Sequence, residues 1–303
     1  MVFVTILLGL SPSFLLVGLG GLVRNRLSAN AWQGLDKLNF EILFPALIFV
    51  AASSRPISVA DMARIGPAVW TVMGVGFGLG WLTRRWGPAR FLDFAGAWQT
   101  AWRFNTALAF VAIATLPGAD VGHLAVAVGM AIPVANILAV SVLSRGGAMG
   151  LKATLIKVAL NPFLLASVGG VIVGLSGLAI PVPVLAPVKM LSQAAIPIAL
   201  LSIGATMNWR ALARLDRFSG ALNAIRLMIL PGLTFAGCIA LQVESTLAQV
   251  LVLFAALPTA SAAHVLAAGF GAERELVATL IAQMTLLAAI TLPLWITAAE
   301  LAF

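Results

Sequence analysis

The chain has 303 residues, of which 61% are hydrophobic and 9% charged, with a net charge of +8 and a mean hydropathy of +1.07. Soluble domains carry about 25% charged residues, so a water-soluble fold is excluded for want of a polar exterior. Lipid suits this composition, and the apolar runs are long and continuous instead of alternating, so helices are expected and a barrel is not.

At about 20 residues per crossing, the sequence predicts ten spans, at 2–21, 38–54, 65–82, 91–116, 120–143, 153–175, 184–207, 218–242, 246–268 and 276–300. No stretch is left for a separate soluble domain. The first span lacks the charged lead-in of a cleavable signal and reads as a permanent helix. Span 2 opens on Lys37, with Glu41 close to its end and Pro45 eight positions after the lysine. Span 3 holds the glycine run Gly74 to Gly80. No strand precedes that run and no lysine follows it, so close helix packing explains it better than a nucleotide loop.

Span 4 is the most polar at its centre. Gln99, Thr100, Arg103, Asn105 and Thr106 fall within eight positions. Arg103 lies roughly 18 Å along the helix from the start of the span, at 1.5 Å per residue, so near the midplane. A guanidinium there costs roughly 2.5–3.5 kcal/mol on insertion scales. It must face a wet cavity or a partner. Either it meets a substrate carboxylate, which its fork matches bidentately, or it pairs structurally with Asp93 or Glu41. These two acids are also the candidate coupling groups, since ion routes use embedded carboxylates.

Span 5 carries Pro133 and Asn136, and span 7 carries Pro197. Pro45, Pro133 and Pro197 are expected to bend their helices. Arg226 in span 8 is expected to snorkel. Cys238, the only cysteine, lies in an apolar stretch and has no partner for an intramolecular disulfide. Span 9 contains Pro258, Thr259 and Ser261. The proline frees a backbone carbonyl, either as a simple kink or as a break whose half-helix N-terminus attracts an anion. Span 10 adds Gln283 and Thr285. His123 and His264 are far apart in sequence, and neither has a neighbouring His, Cys or acid along the chain. No metal site, cofactor or catalytic constellation is expected, and so no enzyme.

Basic residues set the orientation. Loops after odd-numbered spans hold Arg24, Arg26, Lys37, Arg84, Arg85, Arg90, Arg145, Lys152, Lys157, Arg210, Arg214, Arg217 and Arg274. Loops after even-numbered spans hold only Arg55, Arg64 and Lys189. The positive-inside rule then places the odd loops in the cytoplasm and both termini outside. It also explains the positive charge without nucleic acid. The stretch from Lys37 to Pro45 recurs from Lys189 to Pro197, about half a chain later. Two halves of five spans each, 1–150 and 151–303, must enter from opposite sides, an inverted repeat. The same offset carries Asn105 and its neighbours onto Pro258 to Ser261, and Pro133 onto Thr285.

These stretches together resemble the auxin efflux carrier family, in particular its ten-span bacterial permeases. The matching segments are Leu35 to Phe49, Gln99 to Thr106, Asn161-Pro162, Ile196 to Ala205, Leu257 to Ser261 and Thr285 to Pro293, in order across nearly the whole chain. The resemblance implies an all-α polytopic membrane protein of ten helices in two inverted five-helix repeats. Helices 4 and 9 would be broken and cross at the substrate site. It implies a scaffold of spans 1, 2, 6 and 7, through which such proteins dimerise, and a moving unit of spans 3–5 and 8–10. Relatives of that kind move carboxylates: auxin in plants, malate- or malonate-like acids in bacteria. Plant members carry Asn-Pro at each crossover; here Asn105 precedes Thr106, and Leu257 precedes Pro258.

The expectation is an inner-membrane carrier of a small organic anion, surrounded by lipid and working without a cofactor. The substrate would sit against Arg103, Asn105, Thr106, Pro258, Thr259 and Ser261, with Asn136 and Thr285 nearby. A sodium-coupled symporter of the bile-acid type, a channel and an intramembrane enzyme are the alternatives.

Overall fold

The protein was analysed as a computed structural model, which describes residues 2–53, 59–113, 121–145, 159–206 and 215–303, together with 156 and 209. Arg55, Lys152, Lys157, Arg210, Arg214 and the boundary between 150 and 151 lie outside the described residues. Every described element is helical. In chain order they are α1 (Val2–Val23), α2 (Ala29–Leu38), α3 (Phe44–Ser53), α4 (Val59–Leu82), α5 (Phe91–Trp98), α6 (Thr106–Ile113) and α7 (Val121–Arg145). Then come α8 (Pro162–Ser176), α9 (Val182–Thr206), α10 (Arg217–Ala224), α11 (Leu230–Ala240), α12 (Ser245–Ala256), α13 (Ala262–Phe270) and α14 (Arg274–Ala302). Helices occur at each predicted span position.

Among the described residues, five stretches are long and apolar enough to cross a membrane: Met62–Trp86, Gly122–Arg145, Val182–Thr206, Arg217–Ala240 and Arg274–Ala302. Large apolar side chains also point outward. Leu22 is 83% exposed, Val182 76% and Leu294 60%. In water such a surface would aggregate; against acyl chains it costs nothing. The chain is a membrane protein with several spanning helices.

Local sequence sets where helices start, bend and stop. Asp216 and Ser219 open α10 with a reciprocal cap: the Asp216 carboxylate accepts from the Ser219 N–H at 2.7 Å, and the Ser219 hydroxyl accepts from the Asp216 N–H at 3.0 Å. Gly271, at φ 77°, closes α13 in the left-handed conformation, and the Ala272 N–H reaches back to the Ala267 carbonyl at 2.9 Å.

Two helices run through a π turn, Asn39–Leu43 between α2 and α3 and Ile225–Ile229 between α10 and α11. A proline follows each turn at the same distance, Pro45 and Pro231. Proline has no N–H, and its ring collides with the carbonyl four residues back. The preceding residues, Phe44 and Leu230, instead donate to carbonyls five back, on Asn39 and Ile225. The carbonyl of Leu227, freed by Pro231, accepts from the Trp295 indole at 2.9 Å. Pro133 and Pro197 lie inside α7 and α9. Beside Pro197, the Asn39 amide bridges the Ala195 carbonyl and the Ala199 N–H, at 3.3 and 3.2 Å.

The helices pack in two groups. In one, α1 lies along α9, α3 lies along α8, and α9 also packs on α3. In the other, α4 packs on α7, α12 on α14, α11 on α12, and α13 on both α5 and α14. Backbones approach most closely between α1 and α9. A side chain on Gly20 would strike the Leu201 carbonyl, and one on Gly204 would strike that of Val17. Aromatic rings stiffen the second group: Phe77, Trp81, Trp98 and Trp102 contact one another, and the Trp98 indole donates to the Phe77 carbonyl at 3.0 Å.

Candidate functional site

Two of the predicted spans are interrupted. After α5, a 3₁₀ turn at Gln99–Ala101 ends the helix, residues 103–105 are non-helical, and α6 starts at Thr106. Asn105 caps α6: its side-chain oxygen accepts from the Leu108 N–H at 3.1 Å. After α12, residues 257–260 leave the helix and α13 starts at Ala262. Leu257 is extended, at φ −61° and ψ 138°, which is where the ring of a following proline drives a residue. Pro258 therefore produces a break, not merely a bend.

The breaks lie against each other. The Gln99 amide donates to the Ala263 carbonyl at 3.2 Å, and the Phe104 and Phe254 rings are 4.6 Å apart. Beside them is a cavity of about 70 Å³, several times the volume one water needs, about 10–15 Å³. Arg103, Phe104, Asn105, Thr106, Ile132, Ala135, Asn136, Ala260, Ser261 and Ala262 line it from the second helix group. Phe44, Leu47 and Ile48 of α3 and Ile196 of α9 line it from the first. The cavity thus sits on the boundary between the two groups.

Its charge is one-sided. Arg103 is 5% exposed and donates to neutral oxygens, Asn136 Oδ1 at 3.1 Å and the Ala135 carbonyl at 3.5 Å. Among the described residues, no carboxylate lies within ion-pairing distance of it. Asp93 bonds Arg90 at 3.2 Å and accepts from the Glu273 N–H at 2.9 Å, while Glu41 faces Lys37 at 3.8 Å. The structural pairing of Arg103 with Asp93 or Glu41 is therefore not made. The N-termini of α6 and α13, at Thr106 and Ala262, also line the cavity, and helix N-termini carry partial positive charge and unsatisfied N–H groups.

The predicted site residues divide. Arg103, Asn105, Thr106, Asn136 and Ser261 meet at the cavity. Pro258, Thr259 and Thr285 do not line it. The Thr259 hydroxyl is buried without a hydrogen-bond partner among the described residues, and Thr285 bonds back to the Ile281 carbonyl at 2.7 Å within its own helix. Neither Glu41 nor Asp93 lines it. Arg226 does not snorkel: it is fully buried and donates to the Phe254 carbonyl at 3.2 Å.

Sequence reasoning missed a second cluster. Asp36, 4% exposed, accepts from the Ser202 hydroxyl at 2.5 Å and from the Arg274 guanidinium, and His264 Nε2 stands 3.6 Å from its Oδ2. The acid missing from the neighbourhood of His264 along the chain is supplied by α2 across the fold. One sequence signal pointed here: a histidine inside an apolar span needs a polar or charged neighbour.

Residues 148–296 match the family described as membrane transport protein. A Rhizobium meliloti (strain 1021) protein named "Putative malonate transporter" is 27% identical over 294 residues, covering 92% of this chain and 91% of the relative. The family match lies in the second half of the chain and covers just under half of it, and over nearly its whole length the chain is similar to a protein named as a transporter. The matched family is the auxin efflux carrier family that the motifs resemble. A transporter from Methanothermobacter thermautotrophicus (strain ATCC 29096 / DSM 1053 / JCM 10044 / NBRC 100330 / Delta H), named "Uncharacterized transporter", shares 33% identity over 105 residues, 35% of each chain. Among the described residues, no group of His, Cys, Asp and Glu is arranged to hold a metal ion.

Proposed function

We propose that the protein is a secondary carrier that moves a small carboxylate across the inner membrane by alternating access. The supporting observation is Arg103, buried at a cavity on the boundary between two helix groups and, among the described residues, without an acid partner. A fixed charge in such a place is costly unless an anion answers it. A carboxylate would take the guanidinium fork and the N-termini of α6 and α13. The name of the Rhizobium relative makes malonate the first carboxylate to try.

The boundary position supports movement. α1, α2–α3, α8 and α9 would form the stationary scaffold, and the remaining helices the unit that shifts. In this reading the chain crosses ten times as two inverted repeats divided near 150, with both termini outside the cytoplasm. The scaffold face also holds a second copy in a homodimer. The α6 and α13 breaks let a ligand meet backbone N–H groups at mid-membrane, which an unbroken helix does not offer.

Purified protein in proteoliposomes is expected to exchange external labelled malonate for internal malonate with saturable kinetics, at tens of turnovers per second or fewer, without unitary currents. An absolute requirement for sodium places it with the bile-acid type of symporter, and unitary currents make it a channel. Absence of exchange with malonate and with other short carboxylates refutes the reading.

A further inference from the structure

The buried cluster around Asp36 spans the same boundary as the cavity. Asp36 (α2) and Ser202 and Thr206 (α9) belong to the first helix group, and His264 (α13) and Arg274 (α14) to the second. Arg274 reaches both Asp36 and, at 3.5 Å, the Thr206 hydroxyl. It thereby clasps the two groups together. The cluster has access to water: Asp36 and Arg274 line a polar cleft of about 390 Å³ with Gln33, Lys37, Glu41 and Gly269. His264 lies behind Asp36, with none of its surface exposed and, among the described residues, no hydrogen-bond partner on either ring nitrogen. Ser261, three residues earlier at the start of the same short helix, lines the substrate cavity.

We propose that His264, facing Asp36, is the proton-binding site of the carrier, and that its protonation unclasps Arg274 and couples proton movement to substrate movement. This rests on the carrier reading above. The step adds one proton to a ring nitrogen of His264 and breaks no covalent bond. Before it, one carboxylate faces one cation. After it, one carboxylate faces two cations, and they repel each other. The imidazolium is enclosed and cannot leave. The Arg274 side chain is 23% exposed beside the cleft, so it is the group that moves to water. Its departure removes the tie between α14 and α2–α9 and frees α13, whose N-terminus holds the substrate end.

Other charges near the cluster are already occupied or distant. Lys37 and Glu41 pair with each other on the cleft wall, and Arg90 and Asp93 pair on α5. Glu273 and Glu275 flank Arg274 in sequence. α9 carries only Lys189 besides, thirteen positions before Ser202, and α7 carries only His123 and Arg145, near its ends. His264 is thus the histidine beside Asp36, and histidine is the side chain whose ordinary charge change lies nearest neutral pH.

The test uses full-length protein with two readouts. Malonate exchange in proteoliposomes is expected to speed up at least threefold on going from about pH 8 to about pH 6, and an acid-outside gradient is expected to drive accumulation. His264→Gln keeps the clasp shut: exchange stays slow at every pH and accumulation is lost. Asp36→Asn opens the clasp: exchange becomes fast and independent of pH, and accumulation is lost. The second readout needs no transport. The chain has two histidines, so ¹⁵N-histidine labelling gives two assignable imidazoles. They report directly whether the His264 imidazole takes up a proton over the pH range in which exchange speeds up, and whether Asp36→Asn alters that uptake. The proposal is overturned if His264→Gln retains driven accumulation and pH dependence, or if the His264 imidazole takes up no proton over the pH range in which exchange speeds up. Loss of all carboxylate exchange in the unmodified protein refutes the carrier reading instead, and the imidazole titration still reports on the proton site.

Discussion

Arg103→Ala is expected to abolish measurable carboxylate uptake while leaving the protein as stable as before or slightly more so. The two halves of this result come from the same feature. Among the described residues the guanidinium has only neutral partners, Asn136 and the Ala135 carbonyl. Removing it strands no opposite charge. It also relieves the cost of a buried cation, roughly 2.5–3.5 kcal/mol on insertion scales, in exchange for a small void and the lost hydrogen bond to Asn136 Oδ1, about 1.5–3 kcal/mol. The substrate, in contrast, loses charge-assisted hydrogen bonds of about 1.5–3 kcal/mol, which weakens binding by about ten- to a hundredfold. Isothermal binding and a thermal melt on the same preparation check both halves. An arginine paired to a structural acid behaves in the opposite way, with a large loss of stability. Arg103→Lys is expected to rescue only part of the binding, since an ammonium lacks the planar fork.

The second large effect lies far from the cavity. Gly204→Val is expected to eliminate most folded protein, and Gly20→Val to do the same. At both positions the space a side chain needs is filled by the backbone of the opposite helix, Val17 on α1 for Gly204 and Leu201 on α9 for Gly20. Backbone cannot rotate aside as a flexible side chain does. The helices must separate along their whole contact, and overpacking of this kind costs about 1–3 kcal/mol or more. Small residues that allow such an approach are the usual basis of helix association in lipid. Gly18→Ala on the same helix is the control, because nothing lies within 4 Å of the added group; it is expected to be silent. Yield of monodisperse protein in detergent is the readout.

Much of the fold was legible because lipid imposes a simple grammar. A continuous apolar run has to be a helix, and the helices fall where the runs do. Of the two breaks, the one at Pro258 was open in the sequence between a kink and a break, which the extended Leu257 decides, and the one before Thr106 was expected only through the family resemblance. The composition of the cavity was legible in part. Arg103, Asn105, Thr106 and Asn136 are polar where polarity is expensive, so they had to share a protected place. What the sequence withheld is what depends on distant partners. Phe44, Leu47 and Ile196 are ordinary apolar residues until α3 and α9 are set opposite the breaks. Thr285 was assigned by offset from Pro133, yet its hydroxyl is spent on its own helix. Arg226 lies deep because Phe254, on another helix, offers it a carbonyl. Asp36 and His264 are 228 positions apart, and only the packing of α2 against α13 brings the acid to the imidazole.

A single-cysteine protein gives the most direct measurement: Cys238→Ser with Ala260→Cys, treated with a membrane-impermeant maleimide from each side of the bilayer in turn. The account predicts labelling from both sides, because the cavity opens alternately, and slower labelling from either side when malonate is present. Labelling from one side alone, or labelling that malonate leaves unchanged, contradicts a substrate cavity that faces each side in turn.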